Sequence, residues 1–287
     1  VNLISINWAL KKYRVQIKVY PNNEKIVEYP MSDEVLKHNI KGCIVEVILN
    51  RPKQYNAFNN KLRKDLLALL ERLETLSNIR VVIIKGSGPG FTAGADLNEG
   101  FPPPISEHLK DEYKPIFDKI VSSRLIYIAS VHGSAAGIGA ALAMACDFLV
   151  MTETAKISMI FSNIALVPDG GSTWFLYQAM GYRKALEVII EGGHLTADDC
   201  LRYGLANKIY SDSNFDSETY KWALSLSERA PLASAAAKRL LRGCFNVNYD
   251  EAFSAESLEQ DVVSVSKDFF RASEAFLKKE KPIFKGE

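Results

Sequence analysis

The stretch LIYIASVHGSAAGIGAALAMACDFLVMT, residues 125–152, leaves the chain little freedom in how it folds. A β-rich apolar run ends at His132, a glycine-rich turn follows, and residues 137–145 contain only Gly, Ala, Ile, Leu and Met. The pattern predicts a strand over 125–133, a helix of very small residues over 137–145 and a strand over 147–152. Small side chains let such a helix press against a neighbour. Its first turn also presents unpaired N–H groups and the positive end of the helix dipole, which suit a phosphate or a developing oxyanion. Close packing and anion binding both account for this turn, and one does not exclude the other.

The flanking segments read similarly. CIVEVIL (43–49) predicts a strand, and NRP after it a turn. A helix should run from an N-cap near Asn59 to about Ser77, because Leu62, Leu66, Leu69, Leu73 and Leu76 recur at three and four residues. VVIIKG (81–86) predicts a short buried strand. GSGPGFTAGADLNEG (86–100) is too rich in glycine to be regular, and the three prolines of 101–106 also predict loop. Residues 107–123 read as helix, and from about Ser172 to Phe276 the signals are mostly helical. No low-complexity linker interrupts the chain. The organisation is an α/β core with a helical C-terminal portion.

Bulk properties narrow the function. In 287 residues, 35 Lys and Arg balance 34 Asp and Glu, so there is no overall electrostatic case for nucleic acid or an anionic membrane surface. No stretch approaches the roughly 18 apolar residues of a membrane helix. The cysteines (Cys43, Cys146, Cys200, Cys244) form no CxxC pair and the four histidines no HxxxH pair. A disulfide framework and a metal site are therefore not expected, and a reducing, cytoplasmic setting is. Residues 1–31 stand apart: five basic and two acidic residues precede Met31, which would serve as a natural start. They are read as an extension of unknown role, followed by a core over 32–225 and a C-terminal helical region over 226–287.

A second glycine loop, AGADL (93–97), could turn the Ala95 N–H towards a ligand, because Gly94 allows backbone angles other residues resist. An ordinary strand-to-helix turn explains it as well. The loop at 132–147 is not a dinucleotide fingerprint of the short-chain dehydrogenase kind. It lies deep in the chain, no Tyr is followed by Lys four residues later, and no acidic residue stands suitably about 20 positions on. Ser134 lies in no GxSxG elbow.

Taken in order, NRPKQYNAF (50–58), GFTAGADL, HGSAAGIGAALAMACD and AFLKKEKPIFKG (275–286) resemble the enoyl-CoA hydratase/isomerase family, the crotonase superfamily, over roughly residues 40–287. The resemblance implies a spiral of ββα units with a C-terminal helical trimerisation region, and a homotrimer or hexamer. It implies an acyl-CoA substrate, with coenzyme A entering as part of the thioester and no further cofactor, metal, nucleic acid or membrane. Ala57, Phe58, Ala93, Asp96, Leu97, Gly137 and Phe161 are expected along the substrate and coenzyme A path. Phe276 and Lys279 or Lys281 are expected near its adenine or 3′-phosphate end, within the subunit or across a subunit boundary. The amides of Ala95 and Ile138 are expected to form the oxyanion hole, where two fixed donors stabilise a thioester enolate.

The loops identify the family but not the reaction. By resemblance, hydratases carry one glutamate on the helix after the second loop and another seven residues before the later proline; those positions are Ala141 and Phe161. Asp169, in LVPDGGSTWFL (166–176), remains. That run resembles the phenylacetate-pathway isomerases and the Δ3,Δ2-enoyl-CoA isomerases. A single base there could move a proton between C2 and C4, with Phe161, Leu166 and Val167 as an apolar wall that raises its pKa. Asp before Gly-Gly is also common turn chemistry, and the carboxylate could cap a helix starting near Ser172. Asp96 and Glu99 are weaker candidates. The favoured reading is an acyl-CoA isomerase that shifts a double bond or rearranges a ring-derived unsaturated acyl-CoA. The alternatives are a hydratase acting on a 2-enoyl-CoA, a decarboxylase or thioesterase using the same enolate, and a non-catalytic acyl-CoA-binding protein. Near-neutral charge and the lack of a long basic helix face argue against RNA.

Overall fold

The computed structural model describes residues 34–287 apart from Phe101, Phe245 and Asn246, together with the backbone of two short strands nearer the N-terminus. Those strands, β1 (Gln16–Val19) and β2 (Lys25–Glu28), pair antiparallel. They belong to a separate unit, residues 1–34, and most of the expected N-terminal extension, Met31 included, lies outside the described residues.

The main unit is built on a six-stranded sheet in the order β11-β8-β6-β5-β4-β3. Its members are β3 (Leu36–Lys41), β4 (Ile44–Leu49), β5 (Val81–Gly86), β6 (Ile126–Val131), β8 (Phe148–Thr152) and β11 (Lys208–Tyr210). Only β3 runs antiparallel to its neighbour; the other pairings are parallel. A smaller sheet, order β10-β9-β7, joins β7 (Ser134–Ala136), β9 (Lys156–Ser158) and β10 (His194–Thr196).

The largely apolar runs of the central strands follow from burial on both faces, with Glu46 and Lys85 paired to each other at 3.0 Å. Val82 and Ile84 point into the larger core, against the first long helix, α1 (Asn60–Thr75). Val81 and Ile83 point into a second cluster with Phe215 and Ala223. Asn59 caps α1 as expected, accepting from the Leu62 amide at 2.9 Å. Leu62, Leu66, Leu70 and Leu73 of that helix are almost fully buried, each contributing about 2 kcal/mol.

The segment expected as helix over 107–123 is three pieces: α2 (Ile105–His108), a π-helical turn (Leu109–Tyr113) and α3 (Lys114–Ser122). The small-residue helix α4 (Ile138–Ala145) is buried throughout. It is followed by α5 (Ser172–Ile190), kinked at Gly181, then α6 (Ala197–Arg202), α7 (Phe215–Ser227), α8 (Pro231–Gly243), α9 (Tyr249–Ser264) and α10 (Lys267–Lys278). The C-terminal third is not purely helical: β10 and β11 interrupt it and extend the two sheets. Three residues each are too few to show a period, and β11 is tied to β8 through Asn207, whose side chain accepts from the Leu149 amide at 2.9 Å.

Candidate active site

A cavity of about 620 Å³ opens where the loop after β4, the loop after β5, the π-helical turn, the start of α4 and the Asp169 turn converge. Ala57, Ala93, Ala95, Asp96 and Leu97 line one side. Gly137, Ile138, Phe161 and Asp169 line the other, with His108, Leu109 and Tyr113 over the end. Nine of the expected site residues thus meet in one place.

Two clamps hold the first two loops together. Asn56 is fully buried with φ 56°; its amide donates to the carbonyls of Ser87 (2.8 Å) and Gly90 (2.9 Å), and its side-chain oxygen accepts from the Arg51 amide (2.8 Å). The Arg51 guanidinium donates to the Ala57 carbonyl and pairs with Asp96 at 2.8 Å. Burial alone would raise the Asp96 carboxyl, but hydrogen bonds from Arg51 and Asn98 outweigh it and hold the group below the usual carboxylate range. Asp96 therefore lines the cavity while its charge is engaged in shaping the loop.

The backbone sets out the two expected donors. Phe58 donates to the Gly94 carbonyl (2.7 Å) and accepts from the Asp96 amide (3.1 Å). Alternation along an extended segment then turns the Ala95 N–H away from Phe58. Ile138 is the first residue of α4, so its N–H lacks an intrahelical acceptor. Among the described residues neither amide has a backbone acceptor. The approach of the two loops requires glycine at 94: a β-carbon there would stand 2.7 Å from the Ala136 carbonyl oxygen and 3.4 Å from the Ile138 nitrogen. Gly137, at φ 55°, aims the Ile138 amide.

Asp169 precedes Gly170 and Gly171, both at positive φ. Its carbonyl accepts from the Ser172 amide at 3.0 Å, but its carboxylate does not cap α5, whose N-cap is Gly171. One carboxylate oxygen is buried with no hydrogen-bond partner among the described residues. Burial pushes the group up to about 6, opposed only by its own backbone amide. Other nearby acids are engaged: both oxygens of Glu99 accept from the Asn60 amide (3.0 and 2.8 Å), and Glu112 accepts from Arg63 at 2.7 Å.

Some expectations need correction. Val167 is 80% exposed and does not line the cavity, whose apolar lining beside Asp169 includes Phe161, Leu166 and Leu109. The Phe58 side chain is buried in the core, and only its backbone contributes. Phe276, 82% exposed, Lys279, which ends α10 in the left-handed conformation, and Lys281, paired with Glu228 at 2.7 Å, stand at the surface outside the lining of this cavity; that does not bear on their expected place at the adenine end of coenzyme A.

Tyr113, His108 and Arg63 carry no motif and were not expected here. Arg63 left a trace: it lies on the buried stripe of α1 with Leu66, Leu70 and Leu73, where a charge must find partners. No group of three or more His, Cys, Asp or Glu among the described residues is placed to hold a metal ion, and no described helix is long and apolar enough to cross a membrane.

The family model for enoyl-CoA hydratase/isomerase matches residues 39–287. The chain belongs to the enoyl-CoA hydratase/isomerase family. It is 30% identical over 258 residues to a probable enoyl-CoA hydratase of Rhodobacter capsulatus, covering 89% of this chain and 100% of the relative. It is 29% identical over 262 residues to 1,2-epoxyphenylacetyl-CoA isomerase of Escherichia coli, covering 89% and 100%. An enoyl-CoA hydratase structure from a Polaromonas species superposes with a TM-score of 0.82 at 28% identity, covering 87% and 99%. The chain thus carries the crotonase fold of this enzyme family, whose relatives include both hydratases and isomerases.

Within that fold, the face of α4 at Ala141 is closed off. Ala141 is fully buried, and a β-carbon on Gly170 would lie 2.6 Å from its methyl carbon. Phe161 is likewise buried.

Proposed function

We propose that this family member is an acyl-CoA isomerase in which Asp169 moves a proton between C2 and C4 of an unsaturated acyl thioester. The amides of Ala95 and Ile138 would hold the thioester oxygen, where charge appears once the C2 proton leaves. The observation that carries this reading is that Asp169 is the one cavity-lining carboxylate, among the described residues, with no charged partner and with one buried oxygen that accepts no hydrogen bond. A base raised to about 6 is ionised at neutral pH yet basic enough to take and return a proton. Phe161, Leu166 and Leu109 limit solvent at the reacting carbons.

Hydration of a 2-enoyl-CoA is the second reading, favoured by the hydratase relatives. Against it stand the apolar residues at positions 141 and 161 and the packing of the Gly170 turn over Ala141. Self-association, as a homotrimer or hexamer, is supported by the exposed Phe253, Leu258, Val262 and Phe270 of the C-terminal helices.

Product analysis tests the reaction. Given a 3-enoyl-CoA, the protein is expected to release the conjugated 2-enoyl-CoA. Faster formation of 3-hydroxyacyl-CoA from a 2-enoyl-CoA would assign a hydratase instead.

A further inference from the structure

Proton transfer through Asp169 leaves one buried polar group of the cavity unused. Tyr113, on the π-helical turn, is 4% exposed and stands between the main cavity and a second apolar pocket of about 380 Å³ lined by Phe117, Trp174 and Phe175. Its oxygen accepts from Arg63 Nη1 at 3.3 Å, and its ring lies 5.1 Å from the guanidinium carbon. Arg63 is held by the Phe58 carbonyl (2.9 Å), Glu99 (3.3 Å) and Glu112 (2.7 Å). His108 packs edge-on against the same ring, with centroids 5.6 Å apart. With the Phe58 ring edge-on at 6.3 Å, the tyrosine is held by three side chains.

The phenol stays protonated at neutral pH, because burial pushes it up to about 12 against the pull of Arg63. The bond from Arg63 uses an oxygen lone pair and leaves the O–H proton over. Among the described residues no acceptor is paired with that proton. The charge of Asp169 reaches the phenol, but its carboxylate is not hydrogen-bonded to it. A buried donor without an acceptor is costly. An alkyl chain filling the cavity would strand it, whereas an acceptor oxygen in the ligand would satisfy it.

We propose that Tyr113 is a specificity-determining donor, giving its O–H to an oxygen on the acyl group beyond the thioester. The preferred ligands are then acyl-CoA thioesters with a carbonyl, ether or hydroxyl oxygen in the acyl chain, not plain alkenoyl chains. This rests on the reading of the cavity as an acyl-CoA site.

The test is a binding titration of hexanoyl-CoA, 4-oxohexanoyl-CoA and 5-oxohexanoyl-CoA with the full chain and with Tyr113→Phe. One oxo ligand is expected to bind roughly tenfold more tightly than hexanoyl-CoA. Tyr113→Phe should remove that preference and leave hexanoyl-CoA within about twofold. No preference in the unsubstituted protein, or a preference that survives Tyr113→Phe, would overturn the proposal. Equal weakening of all three ligands would do so too, since it would make the residue a packing element. Because only binding is read, failure of the Asp169 reading shows separately, as thioesters that bind without turnover. Binding of none of the three would overturn the cavity assignment and this proposal together.

Discussion

Gly170 and Ala141 are packed so closely that a β-carbon added to the glycine would fall 2.6 Å from the alanine's methyl carbon and 3.1 Å from Ile138 Cγ1. The contact joins the Asp169 turn to the helix that begins at Ile138, and so sets the Asp169 carboxylate and the Ile138 amide relative to each other. Gly170 also sits at φ 61°. Gly170→Ala should lower the unfolding free energy by about 2–4 kcal/mol, from overpacking plus a strained φ. Urea unfolding checks this. Ala141→Glu should destabilise as well and gain no hydratase activity, because the turn occupies the space the new side chain needs.

Asp169 links activity to stability in opposite directions. Its folded pKa of about 6 exceeds the ordinary carboxylate value of 3.8, so the native state holds the proton more tightly than the unfolded chain. Stability from this group is complete below pH 3.8 and falls as pH rises to about 6, by about 2–3 kcal/mol in all. Asp169→Asn should therefore be more stable than the parent at pH 8 and equal to it below about pH 4. Unfolding at the two pH values measures the difference. Activity should move the other way, with kcat/KM of the parent rising through pH 6 to a plateau.

Gly137 offers a test of the oxyanion hole that does not depend on crowding. A β-carbon there would meet only Phe161 Cζ, at 3.9 Å, yet φ is 55°. Gly137→Ala should act through the backbone, turning the Ile138 amide off target. Turnover is expected to fall about 10²–10³-fold with ligand affinity nearly unchanged. Steady-state kinetics beside a binding titration separates the two.

The Arg51–Asp96 pair is expected to matter for the loops and not for proton transfer. Arg51→Ala leaves the nearly buried Asp96 with hydrogen bonds from Asn98 but no counter-charge, which should cost about 3 kcal/mol. Since Asp96 is held below its usual range, its contribution is present above the unfolded carboxylate pKa and is lost as pH falls. The gap in unfolding free energy between Arg51→Ala and parent should narrow in acid.

Much of the cavity lining was legible in the chain because it is built from backbone. Gly94, Gly137 and the Asp169 turn sit where positive φ or close approach demands glycine nearby, and glycine is visible in a sequence. Strands β4, β5, β6 and β8 were readable from their largely apolar, β-branched runs, and α1 from its leucine spacing and Asn59, whereas the edge strand β3, LKHNIK, is too polar to stand out. What stayed hidden depends on long-range geometry. Val167 looked like cavity wall because it sits two residues from Asp169, but the extended turn points it outwards. Tyr113 and His108 reach the cavity through a π-helical turn that shifts the register of an otherwise ordinary helix. β10 and β11 are too short to carry a period and exist through their partners.

The most direct measurement of the central claim is deuterium uptake from heavy water into a bound 3-enoyl-CoA, comparing the parent chain with Asp169→Asn. The account predicts label at the α or γ carbon and conjugated product with the parent, and neither with the variant while the thioester still binds. Uptake by Asp169→Asn at the parent's rate would contradict it.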